Sequence, residues 1–116
     1  MRTPKIKAPK NYEWRQIGYV TVDAGCLMVG DPCYTVGADS SLNKRLPGGW
    51  DQFCAEQFGN PKDHTVKHPT GMPGLAVVAN TAYGDGMYPV LGLYEVGEES
   101  TGRPHAMMVV TGDVDA

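Results

Sequence analysis

The 116-residue chain lacks the marks of a membrane protein, a disulfide scaffold or a common enzyme class. No apolar run approaches the roughly 18 residues of a bilayer span, and the basic start is not followed by the apolar stretch of a secretory signal. A cytoplasmic protein with no membrane partner is expected. Cys26, Cys33 and Cys54 form an odd set with gaps of 7 and 21, which fits neither a disulfide framework nor a CxxC metal knuckle. Reduced thiols are expected. Cys33 follows Pro32, but the nearby charge is Asp31, which disfavours a thiolate, so packing is its expected role.

Catalytic signatures are equally sparse. Gly84-Asp85-Gly86-Met87-Tyr88-Pro89 begins like a phosphate-binding GxGxxG run but ends in proline. His64 and His68 stand four apart, yet Thr65 takes the place of a zincin glutamate and Pro69 disfavours the helix that would align the rings. His105 has no neighbouring Ser or Cys with the signature of an activated nucleophile. No cofactor and no metal are expected, and the reading leans away from an enzyme.

Glycine and proline are abundant: 15 and 9 residues, about a fifth of the chain. With 41% hydrophobic residues, this predicts a compact domain of short elements and many turns. The net charge of −3 is uneven. Arg2, Lys5, Lys7, Lys10 and Arg15 against Glu13 leave +4 on residues 1–15 and −7 on the rest. Residues 1–15 are therefore expected to be a flexible basic arm, and 16–116 a single β-rich globular domain. The arm suits either a weak nucleic-acid contact or a solvated tail.

Alternation predicts strands at 16–22, 26–30, 75–80, 88–96 and 105–111. Asp23-Ala24-Gly25 is expected to turn the first into the second, and Gly84-Asp85-Gly86 to close a hairpin between the third and fourth. Trp50, Phe53, Cys54 and Phe58 carry the spacing of one helical face, ended by Gly59-Asn60-Pro61. Residues 36–49 read as a polar loop and 59–74 as a long irregular one. The expected fold is mainly β, with α+β at the margin: a small antiparallel sheet, or open barrel or sandwich, of about five strands with one short helix.

Asp23, Asp31 and Asp85 each stand at a turn or strand end beside Gly or Pro. Converging, they would bind a hard cation or serve a hydrolase; apart, they would hydrogen-bond their own turns. The tyrosines either face a ligand or fill the core. The expected ligand-binding set is Asp23, Asp31, Tyr34, Asp85 and Tyr88.

With its segments Val22-Asp23-Ala24-Gly25, Gly30-Asp31-Pro32-Cys33-Tyr34 and Tyr83-Gly84-Asp85-Gly86-Met87-Tyr88-Pro89-Val90, the chain resembles a family of small, uncharacterised proteins of bacteriophages and bacteria. The resemblance runs from about residue 16 to 111 and implies a β-rich fold and a phage origin, with no catalytic residues to transfer. The basic arm and the 59–74 loop lie outside it. The leading expectation is a non-enzymatic phage accessory protein that binds a host protein or a small ligand, such as a nucleotide-derived defence signal, and forms a homo-oligomer. One alternative is a metal-assisted hydrolase using Asp23, Asp31 and Asp85; another is a virion or assembly component.

Overall fold

A computed structural model describes residues 4–69, 73–97 and 102–114. The first three residues of the arm, positions 70–72 of the long loop, positions 98–101 and the last two residues lie outside the described residues. Among those described, the elements run β1 (Tyr12–Val22), β2 (Cys26–Gly30), α1 (Pro32–Thr35), α2 (Ser41–Arg45), α3 (Gly49–Phe58), β3 (Ala76–Asn80), β4 (Gly86–Glu95) and β5 (Ala106–Val109). The fold is a small, strand-rich α+β arrangement with two antiparallel sheets. No helix among the described residues is long and apolar enough to cross a membrane.

The chain divides into two compact units. One comprises residues up to Gly25 and from Thr81 onward; the other, Cys26–Asn80, is inserted between them. In the first unit the sheet order is β1-β4-β5, and β1 follows β4 from Tyr12↔Glu95 to Val22↔Gly86 with a bulge at Ile17. Val22, Tyr88, Leu91, Tyr94 and Val110 are buried here. Gly92 lies where a Cβ would come within 2.8 Å of the Tyr94 ring. Pro89 stands where β5 ends, so its missing N–H interrupts no β4–β5 ladder, and its carbonyl accepts from Val110 N–H at 3.2 Å.

In the inserted unit β2 and β3 pair from Cys26↔Asn80 to Gly30↔Ala76. Lys67 bridges Val78 from the other side of β3, giving that strand a second neighbour. Leu42, Leu46, Ala76 and Val78 form the buried apolar set.

Both expected hairpins are replaced by other pairings. Turn chemistry places the reversals of the backbone but does not choose the partner: β1 runs along β4, which pairs with β5 on its other side, and β2 runs along β3. Asp23–Gly25 thus sends the chain out of one unit, and Thr81–Asp85 brings it back.

Other boundaries shift for local reasons. The strand begins at Tyr12, so Tyr12–Arg15 of the expected arm are paired with β4. Asn11, with φ 68°, makes the bend before it, a conformation that asparagine tolerates. Arg15 donates to Glu13 Oε1 and to the Glu95 carbonyl, and its guanidinium lies 4.8 Å over the Tyr94 ring. The expected single helix is one of three among the described residues. Pro32 occupies the first turn of α1, where its missing N–H is no loss, with Asp31 extended at the N-cap. Ser40 caps α2 within the expected polar loop by accepting from Asn43 N–H.

Candidate functional site

The five sequence-derived site residues divide between the units, and most already serve the backbone. In the first unit Asp85 Oδ1 accepts from Gly25 N–H at 2.8 Å. Around it, Thr81 N–H donates to the Gly25 carbonyl, and the Tyr88 hydroxyl donates to the Gly84 carbonyl at 2.7 Å. Gly84, with φ +73°, supplies the left-handed bend. Together these bonds clasp the two chain crossings at the root of the inserted unit. Tyr88 is only 7% exposed, so its ring is core. Asp23 is exposed on its turn.

In the inserted unit Asp31 Oδ1 accepts from Cys33 N–H at 2.9 Å, the N-cap bond of α1, and Tyr34 is exposed on that one-turn helix. Asp31 thus uses a carboxylate oxygen to organise its own turn, and Asp85 uses one to tie its turn to the distant Gly25. Within either unit, no three described His, Cys, Asp or Glu side chains group closely enough to hold a metal ion.

A better-equipped place lies between α3 and the loop after it. Gln52 Oε1 accepts from Gly48 N–H, which secures the helix start, and Gly59 ends it. The apolar spacing of the helix does not describe its buried side: Gln57 is 4% exposed, while Trp50 is 62% exposed. Gln57 is drawn inward because its amide donates to Asn80 Oδ1 at 3.0 Å; the Asn80 amide in turn stands 3.4 Å from His64 Nδ1. Trp50 stacks on Phe53 with ring centroids 5.4 Å apart and planes 12° from parallel.

The loop is ordered by its own side chains. Asn60 accepts from Lys62 N–H, and the Asp63 carboxylate accepts from the Lys67 ammonium, Thr65 N–H and the Thr65 hydroxyl. These donors, Lys67 foremost, hold the Asp63 carboxyl well below its ordinary pKa. The Lys67–Val78 bridge then fixes the far end against β3. His64 and His68 lie on this non-helical segment, which removes the i, i+4 geometry of a zinc helix.

The result is a cleft of about 280 Å³ lined by Phe53, Glu56, Gln57, Val66, Lys67, His68, Pro69 and Val78. Phe53, Val66, Pro69 and Val78 give it aromatic and apolar surface, and Glu56, Gln57, Lys67 and His68 its polar groups, with the Lys67 ammonium held by the Asp63 carboxylate. A larger groove of about 440 Å³ runs along β5 in the first unit, but its lining is mostly apolar. Its Tyr83 hydroxyl is already bonded to Asp113 at 3.0 Å. The α3 cleft is therefore the stronger candidate. Sequence reasoning missed it because α3, residues 66–69 and Val78 meet only in the fold; the signal that did point there was the long 59–74 loop. Compared with protein families, curated proteins and solved structures, the chain matches none.

Proposed function

We propose that this protein is a non-enzymatic phage accessory protein that binds a small ligand in the α3 cleft of its inserted unit. The observation that carries the reading is the Phe53 wall, backed by the exposed Trp50 stack and facing Lys67 and His68. A planar ring bearing an anionic group matches that lining: the ring meets Phe53, and the anion takes a hydrogen bond from the His68 ring and shares the Lys67 ammonium with Asp63. The volume stands at the small end of ligand pockets, which favours one base and sugar over a dinucleotide. A mononucleotide is the ligand class, in keeping with a nucleotide-derived host signal. The phage setting rests on the resemblance of the Asp-Pro-Cys-Tyr and Gly-Asp-Gly-x-Tyr-Pro-Val segments.

The hydrolase alternative is weaker. It must take its ligands from Asp23, Asp31 and Asp85, and two of these carboxylates are engaged by backbone N–H groups.

The test is quenching of Trp50 fluorescence in a Trp14→Phe background by a panel of nucleoside monophosphates and cyclic mononucleotides. At least one is expected to quench saturably, with affinity reduced at least about tenfold by Phe53→Ala, the loss of about 1.4 kcal/mol of stacking. Absence of quenching across the panel, or unchanged affinity in Phe53→Ala, would overturn the reading. Light scattering on the same samples tests the homo-oligomer: a mass that stays monomeric across micromolar concentrations contradicts it.

A further inference from the structure

We propose that Cys26 and Cys54 form a reversible disulfide that staples β2 to α3 within the inserted unit. All three cysteines are free in the structure, and their positions set two of them apart. Cys26 lies directly opposite Asn80 in the β2–β3 ladder. The Thr81 N–H to Gly25 carbonyl bond marks the adjacent pair as hydrogen-bonded, so Cys26 and Asn80 form the closer, non-hydrogen-bonded kind, with both side chains on one face. That face looks toward α3, because Asn80 Oδ1 accepts from Gln57 Nε2. Cys54 stands three residues before Gln57, on the same side of the helix.

Register and helical period therefore bring the two thiols toward one another between sheet and helix. Both are half-buried, whereas Cys33 is exposed on α1. Burial first, and then Cys54, push the Cys26 thiol upward.

The oxidant is a low-molecular-mass disulfide such as oxidised glutathione. One protein thiolate attacks it, forming a mixed disulfide and releasing one glutathione thiolate, which takes up a proton. The second protein thiolate then attacks the protein sulfur of that mixed disulfide and releases the second glutathione. Two electrons pass from the two cysteines to the oxidant, and the two thiol protons end on the two glutathiones. The bond ties the helix bearing Phe53, Glu56 and Gln57 to the sheet, so redox state sets how freely that wall of the cleft moves. The proposal stands whether or not the cleft binds a nucleotide.

The experiment treats native Cys33→Ser protein with oxidised glutathione; this variant is needed because Cys26 and Cys33 share the tryptic peptide 16–44. The expected product has lost both titratable thiols and about 2 Da, with peptide 16–44 linked to 46–62 and dithiothreitol restoring both thiols. Stable glutathione adducts on separate cysteines, covalent dimers, unreacted thiols, or a link that forms only in denaturant would each overturn the proposal.

Discussion

At the scale of single residues, Asp85 separates a structural motif from a functional one. Its carboxylate holds Gly25 N–H beside the Thr81 and Tyr88 bonds, so its removal leaves the clasp short of an acceptor. Asp85→Ala is expected to destabilise the first unit by about 1 kcal/mol in urea denaturation, and Asp85→Asn, which keeps an acceptor oxygen, by less. A catalytic aspartate would show the opposite signature: lost turnover with stability intact. Gly92 makes a second, independent case. A Cβ there meets the ring of Tyr94, which is 2% exposed and cannot swing aside. Gly92→Ala is expected to cost about 1–3 kcal/mol by overpacking, read as a lower denaturation midpoint with unchanged slope; wild-type stability would mean that the ring moves freely.

At the scale of elements, strands were legible in the sequence and their partners were not. Alternation located β2, β3 and β5 to within a residue or two; pairing joins segments tens of residues apart, which local alternation does not encode. The α3 helix was legible from its apolar spacing, but its buried residue is Gln57, drawn in by Asn80, which no periodicity reveals. The 59–69 loop gives this scale its prediction. Asp63 is held by Lys67 and Thr65 below the ordinary value of 3.8. A carboxyl whose pKa is lower folded than unfolded contributes stability that is complete above the unfolded value and is lost as pH falls through the folded one. Acid titration followed by loop amide signals should therefore show the loop loosening only below about pH 4, and Asp63→Asn should remove that acid dependence. An identical acid profile in the variant would contradict the role given to this carboxylate.

At the scale of the whole molecule, two units divide the labour. The turns at Asp31 and Asp85 contribute the cap of α1 and the clasp, whereas the cleft draws mainly on α3 and the loop after it. This explains why the first-chosen site residues were visible and the cleft was not. Turn chemistry writes short, recognisable strings such as Gly-Asp-Gly, while a cleft assembled from α3, residues 66–69 and Val78 joins three segments that no single string marks. The most direct measurement is amide chemical-shift mapping of the isotope-labelled full chain titrated with the nucleotide panel. The account predicts shifts concentrated at Trp50–Gln57, Val66–His68 and Val78; shifts centred on Asp23, Asp31, Tyr34, Asp85 and Tyr88, with the α3 cleft silent, would contradict it.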